Sequence, residues 1–374
     1  MASSEGLHTR RPLLVVFLSM LAFFVLDNAI FRSGLYANIS STRSVAGHFA
    51  SIARSRLATA PSGKREVLVL GHSKVEAALS EKIFDQEIPA SRLKLVFATS
   101  GGTTEKTWYY LLKHIDPNRR RYAAIVVPID TYRTPPLETD CENLIDVAQL
   151  LAPMLDFADW RDLIRTYTNP DVRAKVVLGA AVSSHLYALD LQDLLLHPID
   201  RLRELEWAKA NEATFLYKWD GFDGDLETLE IDRARAKIVH APAHLDAFRR
   251  VEAEAGLRVP PREFVGLWTQ RYHAFRREWF TRIVDLYAGS DTKLIFVQVP
   301  RWPLFMPLLN PIDGAPDLRD YIVPSKNVAV LDEAEFEDLE TPYYFYDVLH
   351  VNKRGRQEFT TRFAKSLRAI LGES

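Results

Sequence analysis

The chain has little of what usually fixes a fold or a chemistry by itself. A single cysteine, Cys141, stands among 374 residues, which excludes an internal disulfide framework. Net charge is nearly absent: 47 basic residues oppose 49 acidic ones, for a formal charge of −2. The two signs are mixed along the chain, as on a solvated surface, and give no reason to expect nucleic acid as a partner. No Gly-x-Gly-x-x-Gly and no phosphate-loop Gly-Lys-Ser/Thr occurs, so the glycine-built nucleotide cradles are missing. His240 and His244 have i, i+4 metal spacing, but Pro242 between them breaks any helix that would aim both rings together, and no Glu follows the first histidine. No metal site and no cofactor is expected.

One long uncharged run is present. After Arg10 and Arg11, Pro12–Leu26 carries no charge, and the apolar character resumes at Ala29-Ile30-Phe31 beyond Asp27 and Asn28. Roughly twenty residues suffice to cross a bilayer core as a helix. A cleaved signal peptide would need small residues ahead of its cleavage point, and bulky Ile30-Phe31 stand there instead. No face of the run is polar, which disfavours a buried helix of a soluble domain. The expectation is an uncleaved transmembrane anchor over 12–31. Arg10 and Arg11 bias residues 1–11 toward the cytoplasm and the rest of the chain outside. Residues 32–64, rich in Ser, Ala and Arg, read as a tether.

Beyond it, short apolar runs alternate with helical patterns: Val67–Leu70, Leu93–Ala98, Ala123–Ile129, Lys293–Val299 and Val328–Leu331. Continuous apolar strands separated by helices predict an α/β fold with a parallel sheet. The helical stretch of about 138–291 breaks this rhythm and reads as an insertion into one domain spanning 65–374.

Two separated segments carry candidate chemistry. Gly71-His72-Ser73 ends the first strand, where a helix begins. N–H groups at such a junction lack intrahelical partners, so those of Ser73 or Lys74 can face a developing oxyanion. The competing reading makes Ser73 a plain helix N-cap. Near the C-terminus, Asp347-Val348-Leu349-His350 places a carboxylate three residues before an imidazole, on one side of an expected helical turn. There the alternative is an Asp that caps the basic helix Arg356–Leu371. Serine, imidazole and carboxylate together make a nucleophile system in which the carboxylate orients the histidine and the histidine takes the serine proton. Gly-x-Ser-x-Gly is absent around Ser73, which argues against an ordinary α/β-hydrolase. Arg301 and Trp302, after the fourth strand, stand at the sheet edge where α/β ligands bind and are candidate substrate contacts. The aromatic run Tyr343–Tyr346 reads as a packed edge in preference to a sugar platform.

The segments VLVLGHS (Val67–Ser73) and YDVLHVNKRG (Tyr346–Gly355) resemble the first and last blocks of the SGNH (GDSL-like) hydrolase superfamily. The resemblance implies a three-layer α/β/α fold and a catalytic triad of Ser73, Asp347 and His350. It implies an oxyanion glycine at Gly101 or Gly102. An Asn is expected after the third strand, but Asp130 stands there, and an ionised Asp cannot donate a hydrogen bond; Thr131 is the substitute candidate. The N-terminal anchor and helical insertion are similar to membrane-tethered members that modify cell-envelope polymers, as in lipoteichoic acid D-alanylation and alginate O-acetylation. That likeness implies a bacterial inner-membrane protein with its domain periplasmic or extracellular. It also implies a polysaccharide acceptor and a membrane-bound O-acyltransferase as partner. Three functions stay open: acyl transfer to a polysaccharide, hydrolysis by an esterase with the same residues, and a non-catalytic glycan- or partner-binding scaffold.

Overall fold

A computed structural model describes residues 10–58, 63–89, 92–129, 145–210, 221, 223–224, 226–232, 237–241, 262–302, 322, 325–347 and 349–373. The chain opens with α1 (Arg10–Arg32) and α2 (Val45–Ala58). There follow β1 (Arg65–Gly71), α3 (Ser73–Ala78), α4 (Glu81–Glu87), β2 (Leu93–Thr99), α5 (Glu105–Ile115) and β3 (Ala124–Ile129). Next come α6 (Ile145–Leu151), α7 (Phe157–Arg165), α8 (Pro170–Ala181), α9 (Ala188–Leu196) and α10 (Pro198–Ala210). A small antiparallel pair, β4 (Glu230–Asp232) and β5 (Lys237–His240), precedes α11 (Arg262–Leu286), β6 (Lys293–Gln298), β7 (Val328–Val330) and α12 (Lys353–Leu371). Two compact units result: Ser55–Cys141 with Ala213–Ser374, and Met1–Arg54 with Glu142–Glu212.

The first unit is built on a five-stranded sheet of order β2-β1-β3-β6-β7, parallel throughout. Its strands are runs of Val, Leu, Ile and Phe because both faces are covered. Val67, Val69, Val126 and Ile295 join Phe359, Phe363 and Leu367 of α12 in one core. On the opposite face Phe296 meets Phe280 of α11 edge-on at 5.3 Å. The chain leaves β1 to one side for β2 and returns to the other side for β3. The C-terminal ends of β1 and β3 therefore border a topological switch point, where loops diverge and leave a crevice.

Helix α11 corrects the extent of the expected insertion. It packs on α5: Arg276 Nε lies 3.0 Å from Glu105 Oε1 in a buried ion pair, and Trp279 meets Tyr110 at 5.8 Å. The Tyr287 hydroxyl donates to Asp116 at 3.0 Å. Residues 262–286 thus belong to the sheet domain, held by Phe275, Trp279, Phe280, Ile283 and Tyr287 at core spacing along one face.

The second unit joins α1, the expected tether as far as Arg54, and α6–α10. Within α1, Leu14–Arg32 is long and apolar enough to cross a bilayer. The stretch after it is no loose linker. Tyr36 is buried and stacks among Phe31 and Tyr187, with ring centroids 4.4–5.6 Å apart. Ser41 and Thr42 donate to Glu204 at 2.9 and 2.8 Å, and the Tyr36 hydroxyl donates to Asp190 at 2.6 Å. Its polar composition reads as a tether only while those distant acceptors are out of view. Within the stretch that reads as helical, α9 ends before His197, and Pro198 opens α10 at a position where its missing N–H costs nothing.

Candidate active site

Strand β1 delivers Ser73 to the sheet edge through a glycine that no other residue can replace. Gly71 has φ +145°, and a Cβ there would lie 2.5 Å from Val75 Cγ2. The turn brings Val75 onto the core while the next residues begin α3. Ser73 is not the cap of that helix. His72 holds the N-cap position, with its Nδ1 accepting from the Lys74 N–H at 3.3 Å. The Ser73 hydroxyl is thereby released from the local bonding that a capping serine would make.

The hydroxyl instead donates to His350 Nε2 at 3.0 Å, across 277 residues of sequence. On the other side of the ring, His350 Nδ1 lies 3.0 Å from both Asp347 oxygens. With the Nδ1 proton shared by the carboxylate, Nε2 presents its lone pair to the serine. Asp347 is itself fixed, accepting from the Leu349 N–H at 2.8 Å and the His350 N–H at 2.7 Å. Burial works to push the Asp347 carboxyl up. The His350 ring and these two N–H groups outweigh it and hold the carboxyl below its ordinary 3.8. The pair therefore combines a charged carboxylate with an imidazole whose orientation is set from both ends.

The local geometry differs from the helical turn expected for Asp347 and His350. Both lie in a bend before α12, closed by the Tyr346 N–H donating to the His350 carbonyl at 2.9 Å. Nor does Asp347 cap α12. That position belongs to Asn352, whose side-chain oxygen accepts from the Gly355 N–H at 3.0 Å. The same side chain donates to the Tyr343 carbonyl at 2.8 Å, and its backbone N–H to the Tyr344 carbonyl at 2.9 Å. Gly355 permits this close approach, since a Cβ there would come within 2.5 Å of the Tyr344 oxygen. Asn352 and Gly355 thus pin the bend that carries His350. The signal for them in the sequence is an Asn preceding a helical run.

The candidate oxyanion donors fall into three groups. The Lys74 N–H is turned to the His72 ring, so of the two N–H groups at this junction it is the Ser73 N–H that meets no acceptor among the described residues. Gly101 and Gly102 follow β2, whose Thr99 pairs in register with Gly71, so their loop stands beside Ser73 at the same sheet edge. The Ser100 N–H and the Thr103 hydroxyl hold that loop by donating to the Gly71 carbonyl at 3.0 and 2.9 Å. Among the described residues no acceptor claims the N–H of Gly101 or Gly102. Asp130 and Thr131 lie outside the described residues.

Arg301 and Trp302 do not form an open substrate surface. Trp302 is buried and meets Phe345 edge-on at 5.4 Å, which makes it part of the core. Arg301 Nε donates to Glu340 at 2.6 Å, and its backbone N–H donates to the same oxygen at 3.1 Å. An indole beside the strand end finds apolar neighbours there, and a carboxylate from a distant segment neutralises the guanidinium. In the aromatic run, Phe345 is fully buried and bridges to Val351, while Tyr343 is more open and lies under the Arg354 guanidinium at 4.7 Å. Among the described residues no cluster of His, Cys, Asp and Glu could hold a metal ion. His240 sits in β5 and is exposed, and His244 lies outside the described residues.

No protein-family model matches the chain, and no curated protein matches it in sequence.

Proposed function

We propose that the chain is a serine-dependent acyltransferase of the SGNH type, tethered to a membrane by α1 and acting on an exported or cell-envelope polysaccharide. One observation carries this reading: Ser73 Oγ, His350 Nε2, His350 Nδ1 and Asp347 form an unbroken hydrogen-bonded line with each link at 3.0 Å. Such a line joins nucleophile, base and orienting group. The three-layer order of the sheet domain and the site at the β1 switch point support it.

In the proposed reaction Ser73 Oγ attacks the carbonyl carbon of an acyl donor and its proton passes to His350 Nε2. The negative charge moves to the carbonyl oxygen, which in this reading accepts from the N–H groups of Ser73 and of Gly101 or Gly102. Collapse breaks the bond to the leaving group, which takes the proton from His350. A sugar hydroxyl then gives its proton to His350 and attacks the acyl-enzyme; the Ser73 Oγ–acyl bond breaks and His350 returns the proton to Oγ, restoring Ser73. Water in place of the sugar makes the same residues an esterase. Asp347 stays ionised throughout and stabilises the imidazolium.

The test is intact mass of the full-length protein in detergent after exposure to a fluorophosphonate reagent, beside Ser73→Ala. We expect one adduct on the parent and none on the variant. A folded parent that takes no adduct, or one matched by the variant, overturns the reading and leaves the binding scaffold in its place.

A further inference from the structure

In the unit that contains α1, helix α9 has no buried residue although five of its nine positions are leucine. Leu189, Leu195 and Leu196 are 83%, 72% and 65% exposed, and the run continues into α10 with Ile199 at 63% and Leu202 at 59%. Scattered exposed apolar residues are ordinary, but a contiguous set on two consecutive helices marks a surface that something covers. Val182, Ala188, Leu191 and Leu195 also line a shallow groove of about 550 Å³ on this surface.

The position of the surface indicates its cover. Asp27, one residue past the uncharged stretch of α1, accepts from the Ser183 N–H at 2.6 Å and the Ser184 N–H at 3.0 Å. Asn28 and Arg32 donate to the Ala181 carbonyl and the Ser183 hydroxyl at 3.4 and 3.3 Å. The turn that leads into α9 is therefore bonded to the residues at which α1 would leave the hydrocarbon. The charges of α9 suit an apolar neighbour as well. Arg201, itself buried, donates to Asp193 at 2.6 Å and to Asp190 at 3.2 Å, so both carboxylates of the helix are neutralised within the unit.

We infer that α9 and the start of α10 lie in the lipid interface beside the anchor, with Leu189, Leu195, Leu196, Ile199 and Leu202 set among the acyl chains. The inference rests on the reading of α1 as a membrane span. Such a helix enters to a depth of roughly 5–10 Å. It would hold this unit against the bilayer at a second point and restrict its rotation about the anchor.

The experiment uses the full chain with Cys141→Ser, reconstituted into phosphatidylcholine–phosphatidylglycerol vesicles. A fluorophore is attached at Leu195→Cys, Ile199→Cys, Phe17→Cys in α1, or Lys365→Cys on the exposed side of α12, and quenched by nitroxides on the lipid chains. The expected result is quenching at Leu195, Ile199 and Phe17 and none at Lys365. Quenching at Phe17 alone overturns the inference while leaving the anchor in place. Absence of quenching at Phe17 removes the anchor and the inference with it. Shielding of Leu195 and Ile199 in native membranes but not in pure lipid also overturns it and assigns the surface to a membrane protein.

Discussion

The two units differ in how completely they bury their apolar residues. In the sheet unit, Val67, Leu68, Val69 and Leu70 are each wholly inaccessible, and Phe359, Phe363 and Leu367 of α12 share one core with Val67 and Val69. In the unit that contains α1, Phe31, Tyr36, Trp160, Leu163 and Tyr187 are buried, but α9 buries nothing and is held through polar links of Arg201 with Asp190 and Asp193. A sheet covered on both faces closes its own hydrophobic account, so its site can be rigid in isolation. The helical unit leaves the leucines of α9 open beside its own buried residues. The triad lies wholly in the first kind of structure.

If that contrast holds, chemistry and stability separate cleanly in the sheet unit. Asp347→Asn should give the largest effect, a loss of about 10⁴ in the acylation rate of Ser73, from loss of the tautomer that aims Nε2 at the serine. Its effect on folding has a defined pH dependence. The depressed carboxyl adds stability that is fully present above the ordinary 3.8 and is lost as pH falls through the lower folded value. The melting-temperature gap between parent and variant should therefore be steady near neutrality and close below that value. A gap that widened on acidification would contradict the ionised pair.

Phe359→Ala, at the centre of the buried core, should cost about 3–5 kcal/mol in denaturant unfolding. A cost below 1 kcal/mol would show that the sheet unit is less closely packed than its burial implies. Asn352→Ala should cost about 0.5–2 kcal/mol through loss of the α12 cap. It should also slow Ser73 labelling, because the segment carrying His350 loses the side-chain tie from Asn352 to Tyr343; Asn352→Asp, which keeps the cap acceptor but not the donor to Tyr343, should recover only the stability. Leu196→Ala on α9 should change stability by no more than about 0.5 kcal/mol in detergent. A large loss there would mean that α9 is packed within the protein after all, and the contrast between the units would fail.

The five core strands were legible from sequence nearly to the residue, since a parallel strand buried on both faces must be a continuous apolar run between turns. The sequence reading proposed Val67–Leu70 and Leu93–Ala98; the strands run Arg65–Gly71 and Leu93–Thr99. The three residues Ser73, Asp347 and His350 could also be singled out, because a hydroxyl after a strand and a carboxylate near an imidazole are recognisable types. The errors came where a residue's role depends on partners far along the chain. Trp302 reads as a candidate substrate contact while Phe345 is out of view, and the start of the expected tether reads as a linker while the acceptors Glu204 and Asp190 for Ser41 and Tyr36 are. Helix α11 was assigned to the insertion because the helical pattern before it carries no mark of which surface it will meet.

Sequence alone thus determined the parallel α/β class, the apolar N-terminal helix and the residue types of the site, because these follow from hydrophobic period, run length and side-chain chemistry. Tertiary structure alone decided that the Ser73 hydroxyl meets His350, that His72 and not Ser73 caps α3, and that Lys74 gives its N–H to that cap. A hydrogen bond is settled within a few tenths of an ångström, and the 277 residues between Ser73 and His350 set that distance only through the packing of the whole sheet domain.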